Sequence, residues 1–354
     1  MKHRRPQLLG EFPKKLKRVR QLLMPRLVQW EQQIGRRLRL RDLFVFFTVV
    51  EYGSMAKAAD KLGVSPPSIS EVIASLEHAL GVRLLDRTPK GITMTPYAKA
   101  LMVRGRAAFD ELRQGIRDIE FIGDPSTGEL TIGCPESIAA GFLIPVIGRF
   151  SKDHPHVRVH VVPVRTPTVE FPELLERKID LAFARLATNP VQGRLSEELD
   201  AEVLFNDRYC VVVGEKSRWA RRKVGLADLV DAPWIMTPLD ALGDTFVGGS
   251  FTRRRLKTPN LTITTFSIHL RNHLVGSGEF ITALPGSVFR IYRRLHGLKE
   301  LPIDLSVRPP VAIVTLRNRT LTPTVQSFIR CARDIARSFV PGAPARSTKR
   351  RRLE

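Results

Sequence analysis

Residues 58–70 read AADKLGVSPPSIS, and this stretch decides the fold of the N-terminal part of the chain. An apolar helical period runs from Met55 to Leu62, and Gly63 ends it. Ser65 is a good N-cap for the next helix, and Pro66 stands at its first position, where a missing N–H costs nothing. Because only two residues separate the helices, the spacing predicts a helix-turn-helix whose second helix exposes its N-terminus, as DNA-reading helices do.

Apolar periodicity on both sides of this turn predicts three short helices in all. The first runs from Arg41 to Gly53, the second is capped by Ser54, and the third ends before Gly81. The predicted inward side chains are Leu43, Phe46, Phe47, Val50, Met55, Ala58, Ala59, Leu62, Ile69, Ile73, Leu76 and Leu80. Residues 82–95 then form two extended runs around a Pro-Lys-Gly turn, which predicts a β-wing with basic residues at its tip.

A long helix is predicted from Pro96 to about Ile122, with Thr95 as its N-cap. Small and apolar residues recur along it at alternating steps of three and four, namely Leu101, Gly105, Ala108, Leu112, Gly115, Ile119 and Ile122. Charged residues are expected outside this seam, namely Arg104, Arg106, Asp110, Arg113 and Arg117. Because nothing nearby in the sequence offers the seam a core, we expect it to pair with the same helix of a second chain.

At this point the sequence resembles the LysR-type transcriptional regulators, from about Leu38 to Ser338. The resemblance is carried by residues 58–70 together with Ile73, Leu76-Glu77, Leu80-Gly81-Val82-Arg83-Leu84-Leu85-Asp86-Arg87 and Thr95. It implies a winged helix-turn-helix, a dimerising linker helix and a C-terminal domain built like a periplasmic binding protein that senses a small molecule. It further implies a homodimer or a tetramer made as a dimer of dimers on double-stranded promoter or operator DNA, with RNA polymerase as a further candidate partner.

The residues expected to contact DNA are Ser65, Pro66, Pro67, Ser68, Ser70, Glu71, Arg87 and Lys90. Members of the family usually have Gln after the capping serine and a basic residue after the second serine, whereas this chain has Pro66 and Glu71. A proline offers only apolar contact, and a glutamate accepts from cytosine but is repelled by phosphate. We therefore expect fewer direct base contacts than is usual in the family.

Turn-forming residues at 123–128 predict a hinge, and strand and helix patterns alternate after it. The N-terminal segments predicted there are strand Leu130–Gly133, helix Ile138–Phe150, strand Val157–Val164, helix Val169–Lys178 and strand Asp180–Ala184. Alternation of this kind predicts a parallel sheet. The fold class is therefore α+β multidomain, ending in a two-lobed α/β effector domain. The expected parts are extension 1–37, winged helix-turn-helix 38–95, linker helix 96–122, hinge 123–128, effector domain 129–340 (lobe I 129–203 and 303–340, lobe II 204–302) and basic tail 341–354.

Ligands of such sheets bind beyond the carboxyl ends of the strands. Ser137 follows the first strand, and the matching serine or threonine of the family commonly hydrogen-bonds the effector. By the same carry-over Thr166 and Thr237 are candidate effector-binding residues, with the loop at Ser277–Gly278 as a weaker one. A plain N-cap role for Ser137 is an equal alternative, and Glu136 beside it argues against a bare carboxylate effector.

Catalysis finds little support in the sequence. No nucleophile elbow, phosphate loop or dinucleotide fingerprint is present, so neither an enzyme nor a cofactor is expected. His156 and His160 share one strand face without further metal ligands, which favours a surface strand over a metal site. Three cysteines cannot make a disulfide framework. Cys134 lies near the expected pocket, as a redox sensor or as a small buried hydrophobe.

The positive charge lies mostly at the two ends of the chain. The formal net charge is +22, residues 1–41 hold thirteen Lys and Arg against two Glu, and the tail holds five against one. Such arms attract polyanions. Residues 1–37 are additional to the family pattern and stay open as a DNA arm, a membrane-surface helix, or an upstream start-site artefact with Met24 as the initiator.

Without a membrane-spanning run or a signal peptide, a cytoplasmic location is expected. The sequence predicts a ligand-responsive DNA-binding regulator. The alternative is a solute-binding or interaction protein in which the helix-turn-helix has lost operator specificity.

Overall fold

The computed structural model describes residues 38–88, 91–164, 170–186, 195–238 and 247–340. The predicted basic extension 1–37 and basic tail 341–354 lie outside these residues. The chain divides between Ala108 and Phe109 into two compact units, each of which is described by itself.

The N-terminal unit is a winged helix-turn-helix, as predicted. Its helices are α1 (Leu40–Tyr52), α2 (Met55–Leu62) and α3 (Pro66–Leu80), and its wing pairs β1 (Leu85–Thr88) with antiparallel β2 (Gly91–Met94). Ser54 and Ser65 cap α2 and α3 through their hydroxyl oxygens, and each helix ends at a glycine in the left-handed region. The predicted caps and stops are thus confirmed.

Most of the predicted inward residues form the core of this unit. Phe46, Ala58, Ala59 and Ile69 are fully buried. On α1, however, Val45 and Val49 are buried while Phe47 and Val50 are only half-buried. The burial pattern on α1 is therefore broader than the single stripe predicted from its period.

The long helix α4 (Pro96–Gly123) begins at the predicted cap. Thr95 accepts a hydrogen bond from the backbone N–H of Ala98 and donates one to the carbonyl of Arg83. The predicted seam divides into two parts along α4. Leu101 is half-buried and Gly105 is buried under the ring of Phe47, where a Cβ atom would lie 2.3 Å from the nearest ring carbon.

Further along α4, apolar side chains are exposed. They are Leu112, Ile116, Ile119 and Ile122, of which Ile116 is not in the predicted seam. The seam that was expected to lack a core therefore has one at Gly105, and only its C-terminal part is open to a partner.

The C-terminal unit contains two five-stranded sheets. Lobe I has the strand order β4-β3-β5-β12-β6 and lobe II the order β11-β7-β10-β8-β9. The strands are β3 (Thr127–Cys134), β4 (His156–Pro163), β5 (Leu181–Arg185), β6 (Leu199–Asn206), β7 (Tyr209–Gly214), β8 (Trp234–Met236), β9 (Leu261–Thr264), β10 (Ile281–Pro285), β11 (Leu298–Asp304) and β12 (Pro310–Leu316).

Helices cover both sheets. Helix α5 consists of consecutive segments Glu136–Ile138, Ala139–Leu143 and Ile144–Asp153, the middle one with π-helical hydrogen bonding. The others are α6 (Pro172–Leu175), α7 (Gly248–Thr252), α8 (Ile268–Gly276), α9 (Gly286–Tyr292) and α10 (Pro323–Ala336). The helix predicted at Val169–Lys178 is thus much shorter than expected.

The predicted parallel sheet is only partly correct. In lobe I, β3, β4 and β5 are parallel, but β12 is antiparallel to both β5 and β6. In lobe II, β7 is antiparallel to β10 and β11. The chain crosses between the sheets after Asn206 and again after Asp304, a few residues later than the lobe boundaries expected from the sequence. Each crossing brings a strand in from the other lobe, which is why each sheet is mixed.

Candidate DNA interface and effector site

The outer face of α3 carries most of the residues predicted to contact DNA. Ser65, Pro66, Pro67, Ser68 and Glu71 are all exposed at its N-terminal end. The hydroxyls of Ser65 and Ser68 lie 2.8 Å apart and share a hydrogen bond. The reading face of α3 consists of Pro67, Ser68, Glu71, Ala74, Ser75 and His78. The last three were missed from the sequence, although their spacing from Glu71 places them on the same side of the helix.

Ser70 differs from the other predicted contacts. It is half-buried, and its hydroxyl donates to Sδ of Met55 on α2 at 3.3 Å. Its role in the structure is to pack the two helices of the motif together. Arg87 lies on β1, but its side chain is outside the described residues, as is Lys90.

Glu77 holds the wing against α3. Its Oε1 accepts hydrogen bonds from the backbone N–H groups of Leu84 and Leu85 at 2.7 and 3.1 Å. This carboxylate therefore has a structural task away from the reading face. Glu71, by contrast, is exposed on that face, and α3 contains no Lys or Arg.

In the C-terminal unit, the carboxyl ends of β5 and β10 meet where the chain crosses between the lobes. Arg185 ends β5 and is 4% exposed, and its Nη2 donates to Oδ2 of Asp207 at 2.8 Å. Asp207 also accepts from the backbone N–H and the hydroxyl of Ser287, which follows β10. One buried carboxylate thus ties lobe I to lobe II.

Ser137 lies beside this junction. Its hydroxyl accepts a hydrogen bond from Nε of Arg185 at 3.4 Å, and its carbonyl accepts one from Nη2 at the same distance. It is half-buried on α5, whose next turn packs closely on lobe II. A Cβ atom on Gly141 would lie 2.7 Å from the hydroxyl of Ser287. The predicted effector residue therefore belongs to a polar network that spans both lobes.

The other predicted effector residues are placed differently. Thr237 is half-buried just after β8, at the carboxyl edge expected for it, and Thr166 lies outside the described residues. Ser277 ends α8 and precedes β10, so it lies at the amino edge of the sheet, and its hydroxyl donates to the carbonyl of Leu274. It is therefore not positioned for an effector bound at the carboxyl ends.

Arg185 and Asp207 were missed from the sequence. The available signal was a single charged residue at the end of the buried run Leu181–Arg185. A buried arginine needs a partner. That signal does not identify Asp207, because the chain reaches it only after β6.

A second buried ion cluster joins the C-terminal half of α4 to lobe I. Asp110 is 1% exposed and accepts from Nε and Nη2 of Arg319 at 2.8 and 3.0 Å and from Nη1 of Arg177 at 2.8 Å. Asp180 accepts from Nη2 of Arg319 and from Nη1 of Arg117. Asp110, which was expected on the solvated side of α4, is thus wrongly placed by the sequence prediction.

The cysteines and histidines give no sign of a reactive centre. Cys134 and Cys210 are buried; burial raises the pKa of Cys134 far above its usual range and that of Cys210 to about 12. His156 and His160 are exposed on β4. Within the described part of the chain, His, Cys, Asp and Glu form no group of three or more suited to hold a metal ion.

Two family models match the chain. Residues 40–99 match the bacterial regulatory helix-turn-helix protein of the lysR family, and residues 123–337 match the LysR substrate binding domain. The chain is 26% identical over 310 residues to the HTH-type transcriptional regulator GbpR of Azospirillum brasilense, covering 84% of this chain and 87% of that protein. It is 28% identical over 302 residues to the transcriptional dual regulator GltC of Bacillus subtilis, covering 82% and 95%.

The fold is also that of a solved regulator. Full-length OxyR from Pseudomonas aeruginosa superposes with a TM-score of 0.58 at 19% identity, covering 85% of this chain and 95% of that one. The chain therefore belongs to the LysR family of DNA-binding transcriptional regulators, with a winged helix-turn-helix and an effector-binding domain. Among the described helices, none is long and apolar enough to cross a membrane.

Proposed function

We propose that this regulator reads duplex DNA with Ser65, Pro66, Pro67, Ser68 and Glu71 on α3, and that a small molecule bound between the lobes of the effector domain changes this binding. The observation that carries the proposal is the network of Ser137, Arg185, Asp207 and Ser287. It lies where ligands of open α/β sheets bind, and it contains groups from both lobes.

A ligand that hydrogen-bonds Ser137 meets Arg185 at once. Because Arg185 is held by Asp207, and Asp207 by Ser287, any displacement of the guanidinium changes the contact between the lobes. The ligand then shifts an equilibrium between two lobe arrangements by its difference in affinity for them. Thr237 supports the ligand from lobe II, and Thr166 is proposed as a further contact.

The effector site is tested by screening small organic acids, amino acids and aromatic compounds for one that changes the affinity of the wild-type protein for DNA. With that compound as probe, Ser137→Ala should weaken its binding about tenfold in calorimetry, consistent with the loss of one hydrogen bond, and leave DNA affinity without the compound unchanged. Ser277→Ala, at the opposite edge of the sheet, is the control. Equal affinity of the compound for both variants and the wild type places the pocket elsewhere.

The DNA-reading residues are tested on a duplex recovered by selection from a random-sequence pool. Ser68→Ala should reduce affinity for this duplex but not for random DNA, because base contacts and not phosphate contacts discriminate sequences. Ser70→Ala is the matched control, since Ser70 faces Met55. A greater loss of selectivity in Ser70→Ala than in Ser68→Ala contradicts this assignment.

The protein is proposed to act in the cytoplasm, as a dimer through α4 or as a tetramer of two such dimers, with RNA polymerase as a further partner. The exposed Leu112, Ile116, Ile119 and Ile122 support pairing of α4. A second candidate function, a solute-binding or interaction protein without operator specificity, is favoured by the acidic Glu71 and the lack of Lys or Arg on α3. Selection from the random pool separates the two, because only the regulator enriches one sequence.

A further inference from the structure

The chain enters the winged helix-turn-helix beside the reading face of α3. Arg39 and Asp42, at the start of α1, line one groove together with Glu71, Ser75 and His78. These three residues of α3 also belong to the reading face. The residues that precede Leu38 are therefore attached at the edge of the surface proposed to meet DNA.

The winged helix-turn-helix itself has almost no excess of positive charge. Residues 38–95 contain seven Lys and Arg and six Asp and Glu. Duplex DNA carries one negative charge per about 1.7 Å of its axis, and binding to it depends strongly on phosphate neutralisation. Residues 1–37 contain eleven Lys and Arg and two Glu, and the exposed Arg39 and Arg41 continue this basic run into α1.

We infer that residues 1–41 form a second DNA-binding surface that contacts the phosphate backbone next to the groove read by α3. This inference rests on the proposed function, since it takes duplex DNA as the partner. The surface supplies affinity without reading sequence, and it offsets the repulsion between Glu71 and phosphate. The nearly neutral domain and the attachment point beside α3 both favour duplex DNA over an anionic membrane as its partner.

The experiment measures the Kd for two duplexes, one selected from a random pool and one of random sequence, between about 50 and 300 mM KCl. The proteins are the full chain, a variant without residues 1–37, an Arg39→Gln/Arg41→Gln variant, and a control without residues 341–354. Each lost phosphate contact makes the log–log salt slope shallower by roughly 0.9.

We expect the N-terminal truncation to weaken binding to both duplexes by a similar factor of at least tenfold, with a slope shallower by about three or more. The double substitution should make the slope shallower by about two, and removal of the tail should change it by less than one contact's worth. The double substitution also keeps the test valid if the truncated chain folds poorly.

An unchanged salt slope in both the truncated chain and the double variant overturns the inference. So does loss of binding to phosphatidylserine vesicles on truncation with DNA binding intact, since the arm then serves a membrane. Failure of the proposed function looks different, because the full chain itself then binds the selected and random duplexes equally.

Discussion

The ion cluster around Asp110 should be essential for the stability of the C-terminal unit. Asp110→Asn keeps the shape of the side chain but removes its charge. Three arginines, Arg117, Arg177 and Arg319, then face Asp180 as their one remaining carboxylate in this cluster. Removing one partner of a buried pair typically costs about 3–5 kcal/mol.

The position of each arginine refines that magnitude. The side chain of Arg319 is 2% exposed and cannot reach water, whereas those of Arg117 and Arg177 are 22% and 11% exposed and can partly rehydrate. Arg319 also keeps its bonds to Asp180 and to the carbonyl of Ile179. We therefore expect Asp110→Asn to lower the free energy of unfolding by about 3 kcal/mol, at the low end of that range.

Urea denaturation of the full chain, followed by fluorescence, measures the loss. Trp219 and Trp234 are buried in lobe II and report on the C-terminal unit, and Trp30 is replaced by Phe in every variant. The matched control is Glu202→Gln, which breaks the exposed bidentate pair with Arg333 and should cost less than about 1 kcal/mol. If Asp110→Asn destabilises the protein no more than Glu202→Gln, the buried cluster does not hold α4 to lobe I.

Local signals made the N-terminal unit predictable from the sequence. The caps Ser54, Ser65 and Thr95 act on N–H groups three residues away, and Gly53 and Gly63 stop helices by their own backbone conformation. Such interactions are complete within one short stretch of chain.

The polar junctions were not predictable, because their partners are far apart in sequence. Asp110 lies 209 residues before Arg319, and Asp207 lies 80 residues before Ser287. The hydrophobic pattern around Asp110 marks it as one charge among several on a helix and does not reveal a buried partner. Strand direction was missed for a related reason, since an apolar run such as Val311–Val314 is equally apolar in a parallel or an antiparallel sheet.

Three further results are expected. Leu112→Glu should dissociate the dimer in sedimentation velocity by placing a charge on the exposed face of α4, and an unchanged dimer would assign that face to another partner. Cys134 and Cys210 should resist a thiol reagent at pH 8 in the folded protein, because burial raises the pKa of both thiols, and modification of either would reopen a redox role. Burial and nearby His269 and His273 lower the pKa of His296, so the unfolded state takes up a proton more readily and stability is lost as the pH falls below about 6.5. Denaturation at pH 7 and 5 should show a smaller loss in His296→Asn, and an equal loss would exclude this contribution.

The most direct test of the central claim is the ratio of two dissociation constants at one salt concentration, for the DNA that flanks the chain's own gene and for a random-sequence duplex of equal length. Specific regulators bind their sites about a thousandfold or more tightly than random DNA. We expect the flanking DNA to contain such a site and the ratio to change when a small molecule binds between the lobes. Equal affinity for both duplexes, together with no enrichment of any sequence from a random pool, would contradict the claim that this protein is a sequence-specific regulator.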